Sequence, residues 1–120
     1  MKRDMDLIRA ILLAVEDSNE HVLDAGELVS ESWDQVTVAR HMELLLDAGL
    51  AEGDVSEYLG GGVDAMIFRL TWTGHDFLDA IRSDAVWQTT KATVAEKVGS
   101  ASFEVIKAVA AAVAMKALGL

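Results

Sequence analysis

The sequence predicts a mainly α fold of the α+β class, with five helices and one small β-hairpin. Apolar residues recur at helical spacing in five segments, and two segments flanking three consecutive glycines alternate as strands do. The chain has 120 residues, of which 52% are hydrophobic, so it is long enough to bury a core. We expect residues 1–82 to form one domain and residues 83–120 to form a C-terminal helical extension of the same compact unit.

Residues 4–17 carry an apolar stripe along one face and form the first predicted helix. Asp4 stands where its carboxylate can accept hydrogen bonds from the first turn, so it is the predicted N-cap. The next stretch, residues 20–33, shows no regular period. A short helix over residues 25–30 and a short strand through residues 28–29 both fit this stretch.

Residues 34–48 predict a stronger helix, which begins after the capping residue Asp34 and ends at Gly49. One side of this helix is apolar and faces a core, and we expect Gly49 to adopt the left-handed conformation that closes such helices. The opposite face mixes polar, charged and aliphatic side chains. These are Val36, Thr37, Arg40, Glu43, Leu44 and Asp47.

The predicted hairpin consists of strands over residues 50–58 and 65–72, joined at three glycines, residues 60–62. Neither Gly-Lys-Ser nor Gly-Lys-Thr follows these glycines, so they predict a hairpin tip and not a phosphate-binding loop. We expect Trp72 and Trp87 to lie in the core. Alternation along the second strand places four residues on one face, namely Met66, Phe68, Leu70 and Trp72.

Three helices are predicted after the hairpin. The first begins at Thr73, with Asp76 in position for a start that resembles a capping box, and the others cover residues 85–98 and 103–118. The last helix is apolar on nearly all sides, so more than one of its faces needs cover. The helix either packs into the domain core or pairs with its copy, and we expect the second arrangement, a homodimer. The predicted contact residues are Phe103, Ile106, Val109 and Val113.

The net charge of −10 is confined to the first half of the chain. Residues 1–60 contain 14 acidic and 4 basic residues, which gives 4 − 14 = −10, whereas residues 61–120 contain 6 of each. DNA binding depends on lysine and arginine side chains that neutralise phosphates, so this balance opposes it. A solvated acidic surface that promotes solubility is the simplest interpretation.

The sequence lacks the common catalytic and metal-binding motifs. It has no cysteine, and its histidines, His21, His41 and His75, lie on three segments without the spacing of metal ligands. We therefore predict a protein that is not an enzyme and has no cofactor or metal. The N-terminus lacks a signal-peptide pattern and the longest apolar run, residues 108–115, is too short for a bilayer. We expect a cytoplasmic protein without membrane contact.

Three segments resemble a small bacterial and phage family that is catalogued as a domain of unknown function, the 2513 family. They are MKRDMDLIRAILL at the start, HMELLLDAGL in the middle and RLTWTGHDFLDAIRSDAVWQ after the hairpin. The resemblance covers essentially the whole chain. It implies a winged helix-turn-helix fold with extra C-terminal helices, in which residues 34–48 are the recognition helix and the hairpin is the wing. It also implies a setting in prophages, plasmids or other mobile elements, and it transfers no catalytic residue.

The first functional hypothesis is a transcriptional regulator that binds duplex DNA as a homodimer. Thr37, Arg40 and His41 would face the major groove, and Arg69 would approach a phosphate from the wing. A dimer would double these few contacts, which DNA affinity requires. Further phosphate contacts would come from Lys2, Arg3 and Arg9.

The second hypothesis is an acidic protein-interaction module that has kept the fold and lost DNA binding. Such a module would present carboxylates in place of phosphates to a host nucleic-acid-binding complex, as some phage-encoded anti-CRISPR proteins do. Val36 and Leu44 would be its apolar anchors. The carboxylates of this mimic face would be Asp34, Glu43, Asp47, Glu52, Asp54 and Glu57.

Overall fold

The computed structural model describes residues 1–18, 22–97, 99 and 101–120. It is mainly helical with a small antiparallel sheet, which confirms the α+β class. Within the described residues the sheet has three strands, one more than the predicted hairpin. His21 lies outside the described residues. In chain order the elements are α1 Met5–Asp17, β1 Leu23–Asp24, a 3₁₀ helix Ala25–Leu28, α2 Gln35–Asp47, β2 Ala51–Glu57, β3 Val63–Leu70, α3 Trp72–Ile81, α4 Asp84–Lys97 and α5 Phe103–Ala117.

The chain forms two compact units, Met1–His75 and Asp76–Leu120. The first contains α1, α2, the sheet and the start of α3, and the second contains the rest of α3 with α4 and α5. In the second unit the rings of Phe77 and Phe103 meet edge to face, with centroids 5.8 Å apart. Trp87 is buried, as predicted. None of the described helices is long and apolar enough to cross a membrane.

The two N-terminal helices begin and end where the sequence predicts. Asp4 caps α1, because its Oδ1 accepts hydrogen bonds from the backbone N–H groups of Asp6 and Leu7. Asp34 caps α2 in the same way, with a 2.8 Å bond from the N–H of Thr37. Gly49 follows α2 with φ +73°, the left-handed conformation expected of it.

The stretch between α1 and α2 combines both of the predicted alternatives in shorter form. Asp24 caps the 3₁₀ helix by accepting from the N–H of Gly26, and its own N–H donates to Glu27 Oε2 at 2.8 Å. The strand lies at Leu23 and Asp24, where β1 pairs with β3, and not at residues 28–29. The strand therefore begins five residues earlier than predicted, at residue 23 and not at residue 28.

The strand order is β1-β3-β2, with both pairs antiparallel. The register shifts between Glu52 and Gly53, which leaves Phe68 as the extra residue of a β-bulge in β3. A Cβ at Gly53 would lie 1.9 Å from the carbonyl oxygen of Met66, so only glycine fits at this position of β2.

The bulge changes which residues of β3 share a face. Val63, Ala65 and Ile67 are buried, and Leu70 joins them only after the bulge has changed the alternation. The remaining residues of the predicted face point outward or lie beyond the strand. Met66 is half-buried, Phe68 is 49% exposed and Trp72 is 84% exposed.

The helix α3 is capped by Thr71 and not by Thr73. The Thr71 hydroxyl accepts a hydrogen bond from the N–H of Gly74 at 3.0 Å and donates to the carbonyl of Gly49 at 2.6 Å. The N–H of Thr71 also donates to the carbonyl of Leu50. These bonds fix the first turn of α3 against the turn that closes α2.

Candidate interaction surface

Arg40 lies on the exposed face of α2 and is held by two carboxylates. Its Nη1 is 3.1 Å from Glu43 Oε1, one turn along the helix, and 2.8 Å from Glu57 Oε1 at the end of β2. Hydrogen bonds to Glu57 and then Glu43 raise the pKa of Arg40 above its ordinary value. A DNA phosphate would have to displace two carboxylates to reach this guanidinium.

Arg69 forms a bidentate ion pair across the hairpin with Glu52. Its Nε lies 2.8 Å from Oε2 and its Nη2 lies 2.8 Å from Oε1, while Nη1 donates to the carbonyl of Leu70. This fork-to-fork geometry is the favourable one for arginine and carboxylate, although exposure limits its contribution to stability. The two arginines predicted to contact DNA from α2 and the hairpin, Arg40 and Arg69, are therefore paired with members of the predicted acidic face.

His41 is fully buried and faces no groove. Its Nε2 accepts a hydrogen bond from the backbone N–H of Asp4 at 2.8 Å, so this nitrogen carries no proton. The proton is then on Nδ1, which donates to the carbonyl of Thr37 at 2.8 Å. His41 lacks the exposed edge that a base contact needs, because its ring joins the start of α1 to α2.

The bonds around His41 belong to a polar network that the sequence alone did not reveal. Asp4 caps α1 with Oδ1 and accepts a 3.0 Å bond from the indole Nε1–H of Trp33 with Oδ2. One residue therefore connects α1, the loop before α2, and α2 itself. Its partners are 29 and 37 positions away, so periodicity within a single element could not indicate them.

The other predicted DNA contacts are poorly placed to reach a DNA groove. Thr37 is half-buried, and its N–H and hydroxyl bond the carboxylate of Asp34, which lowers the pKa of Asp34 below its usual value. The bond between Asp4 and His41 holds the N-terminal segment beside α2, and Lys2 and Arg3 on that segment are exposed. Arg9 is half-buried on α1.

The predicted acidic residues occupy two connected parts of the first unit. Glu43 and Glu57 converge on Arg40, whereas Glu52 pairs with Arg69 and Asp47 is exposed at the end of α2. The sheet adds a row on its outer face. In that row the register sets Asp24, Met66 and Asp54 side by side on the three strands.

The local charge balance is strongly negative. Residues 34–70 contain seven acidic side chains and two basic ones, which leaves −5, and both bases are already paired. Among the described residues no group of three histidine, aspartate or glutamate side chains is arranged to hold a metal ion. The net negative charge of residues 34–70 attracts positively charged groups of other macromolecules.

The predicted apolar anchors and dimer contacts are only partly available. Val36 is 48% exposed on α2, and Leu44 is half-buried. On α5 the half-buried Phe103 ring packs on Phe77, and Ile106 is buried within the chain. Val109 and Val113, the other two predicted dimer contacts, are half-buried.

The model of one protein family, described as "Hypothetical protein (DUF2513)", matches residues 2–100. The chain belongs to the DUF2513 family. The matched range contains α1–α4 and the whole sheet, and it ends before α5. The expected family is thereby confirmed, and the acidic residues and arginines described on α2 and the sheet lie within the matched residues.

A relative of this DUF2513 protein occurs in Haemophilus influenzae (strain ATCC 51907 / DSM 11121 / KW20 / Rd), where it bears the name "Uncharacterized protein". The two sequences are 41% identical over an alignment of 114 residues, and the alignment covers 92% of each chain. No solved structure matches the chain at a significant level. The comparisons therefore show the family, and what bears on function is the acidic surface of α2 and the hairpin.

Proposed function

We propose that the first unit is a winged-helix protein-interaction module whose acidic surface binds a basic protein. One observation carries this proposal: the arginines best placed to contact DNA, Arg40 and Arg69, are each bonded to carboxylates of the same surface. DNA affinity comes largely from cations that exchange counterions for phosphate contacts. A surface whose own cations are neutralised in this way repels phosphates.

The order of the elements supports the winged-helix part of the proposal. The helix α2 runs directly into the β2–β3 hairpin, and the short strand β1 bonds to the second strand of that hairpin. In a winged helix these are the recognition helix, the wing and the strand that anchors it. The 3₁₀ helix Ala25–Leu28 takes the place of the helix that normally precedes the recognition helix.

The charge of the surface indicates the class of partner. Carboxylates on α2 and along the hairpin present negative charge where a winged helix would otherwise present cations to DNA. A protein that binds nucleic acid offers the complementary surface, because its lysines and arginines are arranged to contact phosphates. We assign the partner to this class, with the acidic face acting as a substitute for the phosphate backbone.

Charge reversal on α2 tests the proposal directly. When the purified protein is used as bait in a lysate of a host cell, the double variant Glu43→Lys/Asp47→Lys is expected to lose a basic nucleic-acid-binding partner that the wild type retains at low salt. The matched control is Asp17→Lys/Glu31→Lys, which changes the net charge equally at two exposed acids elsewhere. Equal recovery with both variants would contradict the proposal.

Removal of the paired carboxylates is expected to create DNA binding. In the triple variant Glu43→Gln/Glu52→Gln/Glu57→Gln, Arg40 and Arg69 lose their partners and become available to phosphates. The salt dependence of duplex binding should then steepen by about 2 in the slope of log K against log salt, since each phosphate contact contributes about 0.9. Fluorescence anisotropy with a labelled duplex measures this slope.

The control for this gain of binding carries the same change in net charge away from the surface, as Asp17→Asn/Glu31→Gln/Glu96→Gln. It is expected to bind duplex no better than the wild type does. If the wild type binds duplex as tightly as the triple variant, the carboxylates do not mask the arginines and the proposal is wrong.

A DNA-binding transcriptional regulator is the second candidate, and one observation favours it. The bond from Asp4 to His41 holds the N-terminal segment, with the exposed Lys2 and Arg3, beside α2. These cations could flank a groove that α2 enters as part of a dimer. A mobility shift of the protein's own promoter region by wild-type protein at micromolar concentration and low salt would favour this candidate over the first.

A further inference from the structure

Trp72 is far more exposed than a tryptophan in a folded protein normally is. Its side chain is 84% exposed at the first position of α3, where the sequence pattern predicts burial. Exposure of a large indole costs free energy unless a partner covers it, and tryptophan is enriched among the residues that dominate the affinity of protein interfaces. The exposure of Trp72 therefore indicates a residue that contacts a binding partner.

The backbone on either side of Trp72 is held rigidly. The preceding residue, Thr71, bonds to the carbonyls of both Gly49 and Leu50, and its hydroxyl accepts from the N–H of Gly74. Gly74 packs so closely that a Cβ there would lie 1.8 Å from the carbonyl oxygen of Leu50. A side chain mounted in this way loses little backbone entropy when it binds, as a preorganised anchor should.

The end of the hairpin that leads into Trp72 is negative on balance. The turn that Thr71 contacts follows the exposed Asp47, and Ala51, which pairs with Leu70, precedes Glu52. Glu52 is paired with Arg69, so the net negative charge at this end of the hairpin comes from Asp47. A second copy of this surface would set these acids against each other, so the charge selects a basic partner over a copy of the same chain.

We propose that Trp72 is the apolar anchor by which the acidic surface docks on its partner. The occupant is a basic protein that presents an apolar pocket framed by lysine or arginine side chains. The carboxylates of the acidic surface meet that cationic frame, and the indole fills the pocket. This inference rests on the proposed function and specifies which residue gives the acidic surface its affinity beyond charge alone.

Two helical peptides with equal numbers of lysines serve as defined probes of this partner chemistry. One carries a leucine stripe beside its lysines, and the other carries glutamine in place of leucine. Binding is followed in the NMR spectrum through the indole Nε1–H signals of the three tryptophans, and the Trp72→Phe variant identifies the signal of Trp72. Circular dichroism confirms that the variants keep the fold.

We expect the lysine–leucine peptide to bind about tenfold more tightly than the lysine–glutamine peptide and to shift the Trp72 signal. In Trp72→Ala this preference for leucine should disappear, while the weaker attraction to lysine remains. The matched control is Leu59→Ala, which removes a fully exposed apolar side chain at the tip of the same hairpin. This control should leave the preference intact.

The outcomes separate this inference from the proposed function. If both peptides bind equally well to the wild type, or the leucine preference survives in Trp72→Ala, the acidic surface binds cations without Trp72 as anchor and the inference is wrong. If neither peptide binds, the proposed function fails and the anchor fails with it. An unmoved Trp72 signal during tight binding also overturns the inference.

Discussion

Replacement of His41 by alanine is expected to lower the free energy of unfolding by about 3 kcal/mol. The substitution empties a fully buried site, leaves the Asp4 N–H without the acceptor Nε2 and removes the additional side-chain hydrogen bond to the Thr37 carbonyl. The start of α1 then loses its connection to α2. Urea denaturation followed by far-UV circular dichroism measures the change.

His75 provides the matched control, because it is exposed and its replacement by alanine removes the same atoms. That variant should change stability by less than about 0.5 kcal/mol. His41→Gln is expected to lie between the two, since its side-chain oxygen can accept from the Asp4 N–H while part of the ring volume is lost. If His41→Ala is as stable as His75→Ala, the ring does not connect the two helices.

The sequence predicts helices and their caps well because these depend on near neighbours. Asp4 and Asp34 bond N–H groups two or three positions further along, and Gly49 closes α2 through its own backbone conformation. The ion pair of Arg40 with Glu43 is local in the same sense, since its residues are one turn apart on one helix. Charge spacing alone therefore indicates that Arg40 is partly neutralised.

Features that depend on register were not predictable in this way. The pairs of Arg40 with Glu57 and of Arg69 with Glu52 require the positions of β2 and β3 relative to α2 and to each other. One extra residue at the bulge changes which side chains of β3 are buried. For this reason simple alternation places Phe68 on the same face as Leu70, although Leu70 is buried and Phe68 is exposed.

Trp72 is expected in the core, and alternation places it on one face with Met66, Phe68 and Leu70. In the structure the strand ends at Leu70, and Trp72 is the first residue of α3. The sequence contained one signal for this change, because Thr71 can cap a helix in which Gly74 is the third residue. A cap placed at Thr71 instead of Thr73 puts Trp72 at a helix start, where side chains are commonly exposed.

Replacement of Gly74 by alanine is expected to destabilise the first unit by about 2 to 3 kcal/mol. The new Cβ would lie 1.8 Å from the carbonyl oxygen of Leu50, and backbone atoms cannot yield as the end of a flexible side chain can. The first turn of α3 must then move away from the end of α2, which breaks the bonds of Thr71 with Gly49 and Leu50. Urea denaturation measures the loss.

The loss of stability expected for Gly74→Ala is opposite in sign to the usual effect of alanine in a helix. In an unhindered helix alanine is more favourable than glycine by about 1 kcal/mol, so a stabilised Gly74→Ala variant would mean that α3 does not pack on the Leu50 carbonyl. Gly26→Ala is the matched control, because its Cβ would meet no atom closer than 3.4 Å, an ordinary contact. Gly74 also fixes the backbone around Trp72. Gly74→Ala should therefore reduce the affinity for the lysine–leucine peptide more than the affinity for the lysine–glutamine peptide, although the indole itself is unchanged.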